Sequence, residues 1–228
     1  MKFPLWKRIA SYFTDIYIER STSEVNEELY VILSKGRLQL CTANVIYSYE
    51  DLYKNFSLLF SEINYSFLKN KKVLILGFGL GSIPILLEQN TQESLNFIGI
   101  EIDEEVIYLA NKYILSKIKG PVQLICADAE VFVQTTSERF DMILIDVFID
   151  NVIPAELLSF DFLSKVKDLL YNDRSLVVMN TLANGTKSTA ESHKFFSDTF
   201  KACFPSGAAL ALHKNLMLVS NSKNLLNK

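Results

Sequence analysis

The segment that decides the fold is Val73-Leu74-Ile75-Leu76-Gly77-Phe78-Gly79-Leu80-Gly81. Its first four residues form a continuous apolar run, which is typical of a parallel strand buried on both faces. Gly77, Gly79 and Gly81 then predict a tight turn that lets the backbone approach a nucleotide, although glycines also occur in ordinary turns. The third glycine comes one position earlier than in the dinucleotide fingerprint GxGxxG. This spacing favours an adenosyl sulfonium ligand over NAD.

Acidic residues stand at the ends of the next two apolar segments. Glu101 lies near the end of the strand predicted for Asn96 to Ile102, where a carboxylate can accept both hydroxyls of a ribose. Asp128 follows the strand predicted for Val122 to Ala127. We expect Asp128 to bind the exocyclic amine of adenine, and the alternative is that it caps the helix that follows.

Two further carboxylates follow the apolar run from Met142 to Ile145. Asp146 comes directly after this predicted strand, and Asp150 comes a few residues later. Asp146 is the candidate catalytic residue, because a carboxylate there can orient or deprotonate an amine or hydroxyl acceptor. For both residues, turn or cap chemistry is the alternative.

The rest of the chain indicates one α/β unit with additions at each end. Strands alternate with helices from Lys71 to Asn180, which predicts a doubly wound sheet with right-handed crossovers. The last apolar runs, from Ala208 to Ser220, predict a C-terminal antiparallel hairpin. Residues 1–49 contain short β-branched and aromatic runs and predict a β-hairpin extension of two or three strands. We therefore divide the chain into this extension and a nucleotide-binding domain over residues 50–228, and a helical pattern between Glu50 and Phe67 opens the second part.

Composition excludes several classes of protein. The 228 residues are 49% hydrophobic and 21% charged with a net charge of -3, and no long basic run is present. We therefore expect neither nucleic acid nor membrane as a partner, and a cytoplasmic location. Cys41, Cys126 and Cys203 form no CxxC pair, so we expect buried free thiols and no metal site.

Residues from about 28 to about 180 resemble the spermidine synthase-like family, the aminopropyltransferase branch of the Rossmann-like class I methyltransferase fold. The resemblance implies S-adenosylmethionine, or its decarboxylated form, as cofactor. It assigns cofactor binding to the glycine loop, to Glu101 and Ile102 in Gly99-Ile100-Glu101-Ile102-Asp103, and to the pair Asp128-Ala129. It also implies that Asp146 is catalytic. Gln39, in Gly36-Arg37-Leu38-Gln39-Leu40, resembles a glutamine that touches the cofactor, and Tyr47 belongs to a segment that helps to close the substrate site.

The chain departs from the spermidine synthase pattern in three places. Leu80 replaces an aspartate of the glycine loop, and Ser48 replaces a histidine. Val147-Phe148-Ile149-Asp150 replaces Ser-Ser-Asp-Pro, which leaves Asp150 as a displaced candidate for substrate binding. Because a polyamine needs several convergent carboxylates, our leading hypothesis is methyl transfer from S-adenosylmethionine to a small-molecule acceptor. Aminopropyl transfer and a noncatalytic nucleotide-binding module are the alternatives. Relatives of this kind commonly form dimers, so we also expect a homodimer.

Overall fold

A central sheet of seven strands organises the protein in a computed structural model, which describes residues 3–42, 46–149 and 152–226. The strand order is β10-β11-β9-β8-β5-β6-β7. Strands β5 to β9 are parallel, whereas β11 runs antiparallel to β9 and β10 antiparallel to β11. The strands are β5 (Lys72–Leu76), β6 (Asn96–Glu101), β7 (Val122–Cys126), β8 (Met142–Ile145), β9 (Leu176–Leu182), β10 (Ala208–Leu212) and β11 (Asn215–Val219). This arrangement confirms the predicted doubly wound sheet and its terminal hairpin.

The strand order places a switch point beside β5. The chain leaves β5 for β6 on one side and later returns to β8 on the other side, both times in parallel register. Connections that diverge in this way open a crevice at the carboxyl ends of the strands, where ligands of such sheets bind. The glycine loop and Asp146 both begin at this crevice, since they directly follow β5 and β8.

Helices cover both faces of the sheet and give two hydrophobic clusters. Alternate side chains of each strand enter opposite clusters, as Val73 and Leu74 of β5 do. The helices are α1 (Leu5–Ala10), α2 (Lys54–Phe60), α3 (Ser82–Thr91), α4 (Glu104–Tyr113), α5 (Ala129–Thr135), α6 (Phe160–Asp168), α7 (Thr186–Phe195) and α8 (Lys201–Cys203), with a π-helix at Phe196–Phe200 between the last two. None of the helices in the described ranges is both long enough and apolar enough to cross a membrane.

A second, antiparallel sheet precedes the central one. It contains four strands instead of the expected two or three, namely β1 (Ile16–Ser21), β2 (Leu29–Ser34), β3 (Arg37–Cys41) and β4 (Ile46–Ser48). The additional pairing arises because β1 and β4 each bond one edge of the β2–β3 hairpin. Its buried side chains, such as Val31 and Leu40, belong to the same cluster as those of α2 and α3. The division at residues 49 and 50 stays a prediction.

Three local predictions need correction. The helical pattern from Glu50 to Phe67 is broken into short 3-10 turns on either side of α2, because Tyr53 adopts ψ 86° and ends the first turn. Helix α7 begins at Thr186, three residues earlier than the apolar pattern indicated. Cys126 is exposed, whereas Cys41 and Cys203 are buried as expected. The expectation for Cys126 was wrong because β7 is an edge strand of the sheet, so neighbouring elements cover its side chains only in part.

Candidate active site

The glycine loop adopts a backbone conformation that residues with side chains rarely adopt. Gly77, Gly79 and Gly81 have φ angles of +81°, +54° and +85°. A Cβ at Gly77 would lie 2.3 Å from the backbone oxygen of Asp146, so the loop runs directly over the end of β8. The amides of Gly77 and Phe78 both donate to the carbonyl of Ile100, at 2.9 and 3.1 Å. These bonds hold the loop between the ends of β6 and β8, in the position that the sequence predicted.

Glu101 ties the end of β6 to this loop. Its Oε2 accepts a bond of 3.0 Å from the amide of Gly79, and its Oε1 accepts one of 3.0 Å from the amide of Ile102. Burial raises the pKa of Glu101, and the backbone bonds from Gly79, Asp103 and Ile102 partly oppose that rise. Oε1 also accepts a bond of 3.3 Å from the amide of Asp103. The second lone pair of Oε2 is therefore the position that can still accept a ribose hydroxyl. The side chain of Ile102 is 49% exposed beside it, which leaves an apolar surface for a purine ring.

Asp128 caps α5, which was the alternative that its sequence position left open. Its Oδ1 accepts bonds from the amides of Glu130 and Val131, at 2.8 and 3.0 Å. Within the described residues, Oδ2 has no bonded partner, and the side chain is exposed. Ala129 is buried at the start of the helix. One oxygen thus holds the helix and the other is open to a donor such as an exocyclic amine, so capping and adenine binding are compatible.

Asp146 lies at the centre of a hydrogen-bonded group. Its Oδ1 accepts a bond of 2.8 Å from Nδ2 of Asn180, and its Oδ2 accepts one of 3.0 Å from the hydroxyl of Tyr53. Burial raises the pKa of Asp146 to about 6, against the lowering effect of these two donors, and the charge of Glu101 raises it further. Burial also raises the pKa of Tyr53 well above its usual value. At neutral pH the group is therefore a carboxylate held by a neutral phenol and an amide.

Sequence reasoning missed the contribution of Tyr53. It follows the 3-10 turn Glu50–Leu52 and lies inside a stretch that was interpreted only as a helix packing on the sheet. Its ring stacks on Phe56, with centroids 5.8 Å apart, which directs the hydroxyl toward the end of β8. No local pattern in the sequence distinguishes such a tyrosine from a core aromatic residue, because its partner lies 93 positions away.

The four-stranded antiparallel sheet reaches the same crevice through β4. The hydroxyls of Ser48 and Ser82 lie 2.7 Å apart, and the amide of Tyr49 donates to Ser82 at 2.8 Å. A Cβ on Gly79 would meet Ser48 at 3.4 Å, so β4 lies against the glycine loop. Tyr47 donates to Oδ1 of Asn26 at 2.9 Å. These contacts bring the segment around Tyr47 to the site.

Two other candidate residues have different outcomes. Gln39 is buried in the middle of β3, where its Cα is paired with that of Ile32. Its assignment to the cofactor stays a prediction. Asp150 lies outside the described residues. Leu80, which replaces the aspartate of the family pattern, is 1% exposed and belongs to the hydrophobic core.

Comparisons with known proteins bear on the fold and the family of this chain. The chain is 30% identical over 139 residues to the polyamine aminopropyltransferase of Vibrio vulnificus, which covers 60% of the chain and 44% of that relative. It thus spans less than half the length of this relative. Among solved structures, the spermidine synthase of Thermotoga maritima superposes with a TM-score of 0.67 at 18% identity, over 89% of this chain and 71% of that one. Human methyltransferase-like protein 13 superposes with a TM-score of 0.56 at 19% identity, over 76% and 79%.

The two structural likenesses concern the fold, which is that of Rossmann-like class I methyltransferases. The family is shown by sequence. The model of the spermine/spermidine synthase domain matches residues 48–222, which is more than three quarters of the chain and includes the glycine loop, Glu101, Asp128 and Asp146. The chain therefore belongs to the spermine/spermidine synthase family.

Proposed function

We propose that this protein transfers a group from an S-adenosyl sulfonium donor to an amine, and that Asp146 accepts the proton that the amine loses. The observation that carries the proposal is the position of Asp146. Asp146 lies at the switch point, where its backbone oxygen faces Gly77 of the glycine loop, and its carboxylate is held by Asn180 and Tyr53. A partly buried carboxylate in such a crevice is a common form of general base.

The residues around the crevice fit the donor. The adenosine part would lie between the glycine loop, the carboxylate of Glu101 and the open Oδ2 of Asp128, with Ile102 against the purine. Gly77 is needed because a Cβ there would occupy the space of the neighbouring strand end, and Gly79 and Gly81 share its positive φ. When bound, the donor supplies an electrophilic carbon and a thioether leaving group.

The electrostatics of Asp146 suit the acceptor side of the reaction. The nitrogen of the acceptor amine loses a proton when it forms its new bond to carbon. An ionised carboxylate within reach accepts that proton. The pKa of about 6 keeps Asp146 ionised at neutral pH and makes it a stronger base than an exposed aspartate. Tyr53 and Asn180 each occupy one lone pair of the carboxylate and leave the others for the amine.

Aminopropyl transfer from decarboxylated S-adenosylmethionine is the first candidate reaction. The family match and the relative from Vibrio vulnificus both favour it by name. The expectation from sequence that methyl transfer comes first finds no support in these comparisons. We therefore place methyl transfer second.

Leu80 is the reason to keep methyl transfer as the second candidate reaction. Leu80 is buried in the core and offers no charge to the cationic arm that the decarboxylated donor would bring to the glycine loop. S-adenosylmethionine carries its own carboxylate on that arm and has less need of a protein carboxylate. The small-molecule acceptor stays unnamed in this case.

Calorimetric titration with the two donors separates these candidates. Tighter binding of decarboxylated S-adenosylmethionine, with release of 5'-methylthioadenosine in the presence of putrescine, would support aminopropyl transfer. Tighter binding of S-adenosylmethionine would support methyl transfer. Asp146→Ala serves as the matched variant, because it should keep donor affinity and lose turnover. Donor binding with neither aminopropyl nor methyl transfer by the unaltered protein would indicate a noncatalytic module, and no binding of either donor would refute the proposal.

A further inference from the structure

Asn180, which holds Asp146, is itself held by a residue of the terminal hairpin. Nδ2 of Asn215 donates to Oδ1 of Asn180 at 2.8 Å, and Nδ2 of Asn180 donates to Oδ1 of Asp146 at 2.8 Å. Asn180 is 2% exposed, so its amide has protein partners in place of water. The two bonds form a directed chain from β11 through β9 to the end of β8.

We propose that Asn215 is a positioning residue that fixes the orientation of the Asn180 amide, so that its N–H faces the carboxylate of Asp146. This inference rests on the proposed function in one respect, namely that Asp146 is the base. Asn215 does not touch Asp146 in this chain of bonds and acts through Asn180 alone.

Sheet geometry explains how Asn215 reaches Asn180. The Cα of Asn180 is paired with that of Met217, and Asn215 lies two residues from Met217 on the same strand. Side chains two residues apart point to the same face, and diagonal neighbours on adjacent strands lie within reach of each other. The register of β9 and β11 therefore places the two amides side by side. Asn215 is the first residue of β11, directly after the hairpin turn.

The chemistry of an amide makes this contact directional. An asparagine side chain carries an acceptor oxygen on one branch and a donor nitrogen on the other. While Asn215 donates to the oxygen of Asn180, the nitrogen of Asn180 must face Asp146. If the Asn180 amide turned over, its oxygen would face the carboxylate and its nitrogen would face the donor of Asn215. Both hydrogen bonds would be lost, because two acceptors would face each other at Asp146 and two donors would face each other at Asn215.

The turned orientation becomes favourable only when two conditions hold. Asp146 must be protonated, so that it can donate to the oxygen of Asn180, and the donor of Asn215 must be withdrawn, either by a turn of its own amide or by substitution. Asn215 thus supports the carboxylate form of Asp146 against the acid form. The other groups that face Asp146 are the hydroxyl of Tyr53, which donates to Oδ2, and the like charge of Glu101. Neither bonds Asn215 in the described structure.

Titration of Asp146 in the ligand-free protein tests the proposal without any need for turnover. The carboxyl carbon is followed by NMR in protein labelled with ¹³C-aspartate, and its signal is identified by its loss in Asp146→Asn. Asn215→Leu keeps the approximate side-chain volume and removes the donor. It should raise the pKa of Asp146 by roughly 1 unit, because the protonated carboxyl can then donate to the turned amide of Asn180, and a hydrogen bond to the neutral form of an acid raises its pKa.

Matched variants separate the bond from other effects. Asn221→Leu removes an exposed amide that donates to the carbonyl of Asp173, and it should leave the titration of Asp146 unchanged. Asn180→Leu should raise the pKa of Asp146 at least as much as Asn215→Leu. In the double variant, Asn215→Leu should add nothing, since its effect passes through Asn180. An unchanged titration in Asn215→Leu, or an equal shift when Asn180 is already leucine, would overturn the proposal.

A second substitution covers the case in which Asn215→Leu does not fold. Asn215→Asp is isosteric, cannot donate when ionised and should attract the nitrogen of Asn180. It raises the pKa of Asp146 through its charge and through the turned amide, and only the second part disappears when Asn180 is leucine. A shift that is the same in both backgrounds would contradict the role of Asn215. If the titration moves as expected but the pH profile of turnover does not, the positioning role stands and the assignment of Asp146 as base fails.

Discussion

Replacing Asp146 with asparagine tests how strongly burial has altered this carboxyl group. The pKa of Asp146 rises from an ordinary value of 3.8 to about 6, mainly because burial disfavours the charged form. The folded protein therefore binds a proton at Asp146 more tightly than the unfolded chain does. The stabilising effect of that proton is fully present below about pH 3.8 and is lost as the pH rises through about 6.

The magnitude follows from the size of the shift. A difference of about 2 units corresponds to about 3 kcal/mol in the limit of high pH. Between about pH 4.5 and pH 8 the free energy of unfolding should fall by about 2 kcal/mol on account of Asp146. Asp146→Asn removes this titration. It also leaves Tyr53 and Asn180 competing for one acceptor oxygen, which adds a cost that does not depend on pH.

The measurement is therefore a comparison of slopes. Urea unfolding of the variant and of the unaltered protein is followed across the pH range, and the difference in stability is plotted against pH. We expect this difference to move in favour of Asp146→Asn by about 2 kcal/mol from the acid to the alkaline end. Asp173→Asn, which alters an exposed carboxylate, is the control. A difference that is constant with pH would refute the conclusion that burial has raised the pKa of Asp146.

Three further outcomes follow from the site. Gly77→Ala should destabilise the protein by about 2 kcal/mol or more in chemical unfolding, since φ is +81° and the new Cβ meets the strand end. Gly185→Ala, in extended backbone with open space, should cost less than about 1 kcal/mol, since it only weakens the N-cap of α7. Asp128→Ala should cost about 1 kcal/mol of stability and weaken adenosine binding, and Asp128→Ser should restore the cap without restoring affinity; full recovery of affinity in the serine variant would exclude adenine binding by Oδ2. Glu101→Gln should weaken donor binding at least tenfold in calorimetry, because one oxygen that accepts a backbone amide becomes a donor; an unaltered affinity would remove Glu101 from the ribose site.

Local sequence was sufficient for the central features of the fold. Five apolar runs separated by helical patterns predicted the parallel sheet, and four of them, β5, β6, β8 and β9, are buried strands, which need apolar side chains on both faces. The glycines after β5 predicted the loop, since only glycine adopts its positive φ angles without strain. The positions of Glu101, Asp128 and Asp146 followed from the rule that strand ends of a parallel sheet meet at one edge.

Short and edge elements were less predictable. Residues 1–49 contain runs too short to show how many strands would pair, and the number became four only because both edges of the β2–β3 hairpin found partners. Cys126 has apolar neighbours in sequence and is still exposed, because its strand lies at the edge of the sheet. The exposure of a side chain on an edge strand depends on the strand order of the sheet, which cannot be predicted from the residue types of the strand itself.

The sequence by itself determined the sheet, the glycine loop and the carboxylates at the strand ends, because periodicity and glycine conformations are local properties of the chain. Only the tertiary structure decided the environment of Asp146. Tyr53 and Asn180 reach it from 93 and 34 residues away, and Asn215 reaches Asn180 from the terminal hairpin. Strand register and helix packing bring these residues together, and the resulting burial and hydrogen bonds set the charge of the carboxylate on which the proposed chemistry depends.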